Sequence, residues 1–465
     1  WPPVGELPWR DRKRGGQMRE ILIPQQVDWI LAELEKNGYE AYIVGGCVRD
    51  SLLERKPKDW DVTTSARPQD VKRIFRNTYD TGIEHGTVSV RVGTEIYEVT
   101  TFRVDGDYSD HRRPDSVEYT DKLAEDLKRR DFTMNAMAYH PRTGLVDLFG
   151  GQEDLRTGCI RCVGDPEERF EEDALRMLRA FRFAARFGFQ VEEKTKKAVR
   201  MKAPLLENVS RERVREEMDQ LVCSAYPGIL RDVCETGLMA YIIPEWIPCI
   251  GAKQNTPYHV YTVEEHMIRA VEAAQPVRVV RWAALLHDIA KPHCRNTDAD
   301  GRDHFPGHPE QSAQMADKIL RGLKFDNVTR EAVVLSIRLH DETPPRDLCQ
   351  MRHLMSRIPD GFYPYLQALE RADAAAQNPQ YLEASMEKLD VARALYEQVV
   401  EEKQCVKLAD LAINGRDLMD LGFPKGRMIG EVLQQLLQQV LDYPNMNQKG
   451  LLLDIANRLK ERMLP

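Results

Sequence analysis

The chain has 465 residues, 30% charged and 42% hydrophobic, and its 66 basic and 74 acidic residues leave a net charge of −8. At roughly 100–200 residues per domain, three or four domains are expected, each long enough to bury a core. The charge balance excludes a uniformly basic nucleic-acid coat, and no apolar run approaches the roughly 18–20 residues that cross a bilayer. Nine scattered cysteines, an odd number, and no secretory signal point to a reduced, cytoplasmic protein with no membrane partner.

Residues 1–17 are rich in Pro, Gly and Arg without periodicity, and are read as a disordered upstream extension with Met18 as the native start. From there Ile21, Val27, Ile30, Leu31 and Leu34 mark one face of a helix. Ala41–Val44 reads as a strand, Gly45-Gly46 as a turn and Val48–Arg55 as a helix. Glycines at such a turn let backbone N–H groups approach a phosphate, and Arg49 adds a charged donor, although a tight packing turn looks the same. In Lys58–Val62, strand geometry places Asp59 and Asp61 on one face. Two carboxylates that close call for a cation, and Mg²⁺ bridging to substrate phosphates is the natural one. A helix over Pro68–Phe75 and strands over Thr87–Val92 and Glu95–Phe102 follow, and Glu98 is the candidate third carboxylate, with a cross-strand ion pair as its competing role.

Beyond about residue 165 the strand signal vanishes, giving an α+β chain with an α/β head and a long all-helical remainder. The expected divisions are a head over 18–150, a helical neck over 151–220, a helical body over 221–405 and a helical tail over 406–465. In a helix starting near Glu171, Asp173, Arg176, Arg179, Arg182 and Arg186 are spaced 3, 3, 3 and 4 and form one stripe. Residues 174–202 hold nine Lys or Arg and two Glu, 9 − 2 = +7, which predicts a focused basic cleft. Cys159 and Cys162 have no second pair at metal spacing and are read as structural. His259, His287, Asp288, His308, His340 and Asp373 form a second constellation of metal-ligand types. His259 is placed on one helical face with Val263, and His266 is the competing first ligand.

Gly45–Asp50, Asp59-Trp60-Asp61, Thr100–Arg103, Tyr108–Pro114, Arg129–Met137 and Glu171–Ala180 together resemble the class II tRNA nucleotidyltransferases. These CCA-adding enzymes are grouped with bacterial poly(A) polymerases in the polymerase β-like superfamily. The resemblance implies a polymerase β-like nucleotidyltransferase head followed by an elongated helical neck, body and tail. It implies Asp59 and Asp61 as Mg²⁺ ligands that activate the tRNA 3′-hydroxyl, with Glu98 completing the catalytic set. Gly45, Gly46, Arg49, Arg103 and Arg130 would hold the nucleotide, and Asp131 and Asn135 would support the ribose. Arg179 and Arg182 are further triphosphate candidates. Asp173 and Arg176 match the family's templating motif, and their chemistry suits it. Cytosine and adenine both present an amino donor beside a ring-nitrogen acceptor, which a carboxylate and a guanidinium satisfy. Uracil and guanine would leave buried groups unpaired, at a cost of roughly 1–3 kcal/mol each.

Leu285–Pro292 resembles the signature of HD-domain metal phosphohydrolases, which implies one or two divalent ions (Mn, Fe, Ni or Zn) and leaves both a hydrolase and a scaffold role open. Ile413–Leu418 and Leu421–Gly430 resemble the family's tail, where a Gly/Lys/Arg turn suits a tRNA phosphate and an ordinary capped helix is the alternative. The expected partners are therefore tRNA, CTP and ATP. Poly(A) addition, addition of only CC or only A, an HD hydrolase with an inactive head, and a non-catalytic RNA-binding regulator are the competing readings.

Overall fold

The computed structural model describes residues 20–106 and 117–463; the 1–17 segment and Tyr108–Pro114 lie outside the described residues. Helix α1 (Gln25–Lys36) buries Val27, Ile30, Leu31 and Leu34, the face that the periodicity predicts. The head is a mixed sheet built from β1 (Ala41–Val44), β2 (Asp61–Thr64), β3 (Thr78–Gly82), β4 (Thr87–Val92) and β5 (Glu95–Thr101). After the short ribbon β6 (Arg103–Asp105) and β7 (Val117–Tyr119), β8 (Met137–His140) and β9 (Gly144–Asp147) complete it. The seven-stranded order is β3-β4-β5-β2-β1-β8-β9, and β2 runs parallel to β5 while the other pairs are antiparallel.

Two expected boundaries move. Helix α2 spans Gly46–Leu52 rather than Val48–Arg55, because Leu53 closes it and Glu54 turns to φ +57°. Strand β2 begins at Asp61, so Asp59 sits in the segment leading into the strand rather than within it. Helix α3 (Pro68–Ile74) and α4 (Leu123–Lys128) flank the sheet, and Leu127 packs with Val44 and Ala138.

The expected continuous helix from Glu171 is broken. After α5 (Gly151–Thr157), α6 (Pro166–Glu172) ends at Asp173, which is extended (φ −140°, ψ 102°). Its Oδ1 accepts a hydrogen bond from the Leu175 N–H at 3.1 Å, an alternative to helix that short acidic side chains offer the backbone. Helix α7 (Leu175–Phe187) starts there and buries Met177, Leu178, Phe181 and Ala185. Helices α8 (Glu193–Lys202) and α9 (Arg211–Val222) follow, and α9 packs on α7.

Contacts divide the chain into two compact units: residues up to Ile247 with Gly322–Lys324, and Pro248–Arg321 with everything from Phe325. The second unit is helical apart from a two-residue strand pair, Asn296–Thr297 with Asp303–His304. One of its cores gathers Met351, Leu354, Phe362 and Ala392, and another gathers Leu418, Phe423, Val432, Leu436 and Leu452. Among the described residues no helix is long and apolar enough to cross a membrane.

Candidate functional site

The parallel pairing of β2 with β5 sets Asp61 directly opposite Glu98, with Asp59 two residues upstream. Burial pushes the Asp61 carboxyl above its usual range, Arg130 draws it back, and Glu98 and Asp59 push it further up. A carboxylate strained by burial and by two like charges is what a divalent cation relieves, so the donor set fits Mg²⁺. The register thereby sets Glu98, in the middle of β5, beside Asp61 at the start of β2, and Asp59 is near enough to act on Asp61.

The Gly45-Gly46 turn lies next to them. Gly45 has φ +78°, and its N–H donates to the Met137 carbonyl at 3.1 Å. A Cβ there would stand 3.0 Å from Arg130 Nη1. Arg130 Nη2 lies 3.3 Å from Asp126 Oδ2, while its buried Nε has no hydrogen-bond partner. Arg49 Nη1 donates to Asn135 Oδ1 at 2.6 Å, and Asn135 Nδ2 donates to Asp131 Oδ1 at 3.0 Å. Arg179 completes the chain with two bonds to Asp131 Oδ2 at 2.6 and 3.0 Å. Burial alone would raise the Asp131 carboxyl, but Arg179 and Asn135 hold it down at about 2. The network therefore stays charged, and it fixes Arg49 and Arg179 around the turn.

Gly45→Ala is expected to strain the backbone by roughly 1–3 kcal/mol and to displace Arg130. A rise in the nucleotide KM of about tenfold or more, with the fold retained by circular dichroism, is the result to look for, since 1.4 kcal/mol is tenfold.

The stripe residues take different partners. Asp173 Oδ2 pairs with Arg213 Nη2 at 2.8 Å, and Arg176 pairs with Glu172 and donates to the Arg129 carbonyl at 3.3 Å. Arg182 is buried against Glu217, with its guanidinium 3.9 Å from the Phe183 ring centre. It braces α7 on α9, away from the role of a triphosphate ligand. Arg103 donates to the His85 carbonyl. The predicted +7 cluster is also largely neutralised: Arg176, Arg179, Arg182, Arg186, Lys194, Lys196, Arg200 and Lys202 each face a carboxylate. Most of those carboxylates, such as Asp50, Asp131 and Glu217, are remote in sequence, so a window count could not find them.

The second constellation is compact and buried. His266 Nε2 lies 3.2 Å from Asp288 and 2.9 Å from Asp373, and His287 Nε2 lies 3.3 and 3.5 Å from the same two carboxylates. His308 and His340 face the other Asp288 oxygen at 3.3 and 3.6 Å. In all four rings Nδ1 lies against a backbone carbonyl, of Ala376, Ala284, Phe305 and Ile337 at 2.6–3.2 Å, which turns Nε2 inward. That is the outer-shell pattern of metal-binding imidazoles, and Asp288 bridges the two halves. These donors fit one or two divalent ions. Asp288 and Asp373 overcome the effect of burial and hold His287 up at about 10, so protons stand where a cation would.

His259 is not on the helix expected for it. Thr262 caps the helix Val263–Ala273 by accepting from the Glu265 N–H, which leaves His259 in the preceding turn and places His266 on the inward face. His259 Nε2 lies 3.3 Å from Lys291 Nζ, and burial with that ammonium pushes it down to about 3. Lys291 in turn lies 2.6 Å from Asp288. In the tail, Asn414 and Asp417 cap the helix Gly415–Asp420 reciprocally, whereas the Gly/Lys/Arg turn opens the helix Arg427–Asp442 from Gly426, without a side-chain cap.

Sequence reasoning missed Asp126, although its i,i+3 and i,i+4 spacing to Arg129 and Arg130 is a helical pairing signal, and it missed Arg213 and Glu217, whose partners lie 40 and 35 residues away where no spacing rule marks them.

Comparison with known proteins identifies relatives along most of the chain. The poly(A) polymerase head domain matches residues 41–161, the RNA and SrmB-binding site of polymerase A matches 188–250, and tRNA nucleotidyltransferase domain 2 matches 308–456. The CCA-adding enzyme of Lactobacillus helveticus is 55% identical over 188 residues, 40% of this chain and 47% of that protein, so the matched stretch spans about half of that relative. The CCA-adding enzyme of Lactiplantibacillus plantarum is 33% identical over 436 residues, 93% of this chain and 95% of that protein. The crystal structure of the Bacillus stearothermophilus CCA-adding enzyme in complex with CTP superposes with a TM-score of 0.68 at 30% identity, covering 94% of this chain and 98% of that one. With a carboxylate-bearing head, an arginine-braced neck and near full-length similarity, the chain belongs to the CCA-adding enzyme family of nucleotidyltransferases.

Proposed function

We propose that this protein builds and repairs the 3′-terminal CCA of tRNA from CTP and ATP. The observation that carries the reading is the register of Asp61 with Glu98, beside the Gly45 turn and the partly unpartnered Arg130. In the reaction the tRNA 3′-oxygen forms a bond to the α-phosphorus, the bond to the bridging oxygen breaks, and pyrophosphate leaves. Asp59 and Asp61 would hold Mg²⁺ with support from Glu98. The bound ion supplies charge neutralisation and acidifies the attacking hydroxyl. Gly45 and Gly46 offer close backbone approach, and Arg49 and Arg130 bind phosphate charge. Asp131 and Asn135 position Arg49, Arg179 and the sugar. Asp173 and Arg176 read the base edge, and Arg213 orients Asp173. Phosphoryl transfer needs this positioning and charge stabilisation more than covalent help. The tail turn around Lys425 and Arg427 would contact tRNA phosphate.

The test offers tRNA ending before CCA, after C and after CC with each NTP, and sequences the products. Full CCA completion on all three supports the proposal. Long A-tracts, or CC-only or A-only products, would replace it with poly(A) polymerase or partial activity.

The four inward-turned imidazoles favour a second reading, an accessory metal-dependent phosphohydrolase in the HD body. Divalent metal must displace protons from His287 and its neighbours. Calorimetric Ni²⁺ or Mn²⁺ titrations in buffers of different ionisation enthalpy are therefore expected to show about one or more protons released per ion. His287→Ala should remove that release and any hydrolysis of 2′,3′-cyclic phosphate while sparing nucleotide addition. Loss of addition alone would make the cluster a scaffold.

A further inference from the structure

A third set of metal-ligand types lies outside both sites. The helix Leu348–Arg357 carries Cys349 and His353, four residues apart and so on one face. The helix Arg427–Asp442 ends opposite them at Asp442. Cys349 Sγ lies 3.5 Å from Asp442 Oδ1, His353 Nε2 lies 2.8 Å from the same oxygen, and the three atoms fall within 4.8 Å of one another. With Zn–S near 2.3 Å and Zn–N and Zn–O near 2.0 Å, tetrahedral coordination needs separations of about 3.3–3.6 Å between ligand atoms. The Cys349–Asp442 and His353–Asp442 spacings are within about half an ångström of that.

The arrangement is braced. Buried Arg352 donates through Nε to the Leu441 carbonyl at 2.7 Å and through Nη1 to Gln404 at 2.9 Å, which fixes the end of the second helix against the first. Helix C-termini carry partial negative charge and favour a cation. The thiol and the imidazole now converge on one carboxylate oxygen, and each donor proton can be exchanged for a shared metal ion.

We infer that Cys349, His353 and Asp442 form a Zn²⁺-class metal clasp, with solvent as fourth ligand. It joins the core around Met351 and Leu354 to the tail core around Leu436 and Leu437. The borderline-soft Cys/His/Asp set selects Zn²⁺ or Co²⁺ over Mg²⁺, so the clasp is chemically distinct from the head carboxylates. It is also distinct from the HD cluster, whose ligands include no thiolate.

Co²⁺ added to the metal-stripped full chain reads this difference, because only a thiolate ligand gives a near-ultraviolet sulfur-to-cobalt charge-transfer band. The expected result is a band whose plateau amplitude corresponds to one thiolate-bound Co²⁺ per chain, that vanishes in Cys349→Ser, and that persists in Cys249→Ala and His287→Ala. Asp442→Asn, at an exposed position, should raise the half-saturating Co²⁺ concentration about tenfold or more while circular dichroism stays unchanged. Zn²⁺ should raise the melting temperature of the parent by more than that of Cys349→Ser. Absence of the band in the parent, or its survival in Cys349→Ser, would overturn the inference and leave a hydrogen-bonded helix contact.

Discussion

Asp61→Asn is expected to reduce incorporation from CTP and ATP by roughly 10³-fold or more while leaving tRNA binding intact. The size follows from removing one anchor of a metal-stabilised transition state worth several kcal/mol, at about 1.4 kcal/mol per decade of rate. The same substitution has an opposite effect on the metal-free fold. Burial, Glu98 and Asp59 together outweigh Arg130, so the Asp61 carboxyl is raised in the folded protein. A raised carboxyl binds protons more tightly folded than unfolded, and its ionisation destabilises the fold as pH rises past the ordinary carboxylate range. Asn carries no such charge. Without Mg²⁺ near neutral pH, Asp61→Asn should therefore melt no lower than the parent. Single-turnover incorporation and thermal melts at pH 7 test both halves. Undiminished incorporation would reject the metal assignment, and a large drop in stability would make Asp61 a structural residue.

The second large effect is on fidelity. Arg176→Ala should narrow the preference for CTP and ATP over UTP and GTP by roughly 5–150-fold. That range corresponds to the roughly 1–3 kcal/mol at stake when a buried polar group is left unpaired. Arg176 is a cleaner probe than Asp173. Asp173 also accepts from the Leu175 N–H at the α6–α7 break and holds Arg213 at 2.8 Å, so its removal disturbs the start of α7 as well as readout. Arg176 pairs with Glu172 and donates to the Arg169 carbonyl within α6 and to the Arg129 carbonyl after α4, and none of these bonds holds the start of α7. Competition assays with all four nucleotides, read as ratios of kcat/KM, measure the change. Retained discrimination would move base reading to other residues.

The sequence by itself determined the local elements and the chemical types. The four-residue rhythm of Val27, Ile30, Leu31 and Leu34 needs only helical geometry, and Thr87–Val92 shows its strand through period-two alternation. The Gly45 turn, the Asp59/Asp61 pair, Glu98 and His287-Asp288 were legible for the same reason. Backbone conformation and short-range ligand spacing are set by neighbours in the chain.

Tertiary structure decided everything that depends on partners distant in sequence. It replaced His259 with His266 facing Asp288 and Asp373, because Thr262 caps the helix three residues after His259. It turned Arg182 inward onto Glu217, 35 residues along the chain.

It also changed the meaning of the charge count. The +7 of residues 174–202 is a property of the chain, but Arg179 meets Asp131 and Arg186 meets Asp50 across 48 and 136 residues. Opposite charges attract through space irrespective of chain distance, so a basic window became a set of braced ion pairs. Beside the Gly45 turn the same pairing holds, with Arg49 on Asp50 and Asn135 and Arg130 on Asp126, and among the described residues there only the buried Arg130 Nε is left without a partner.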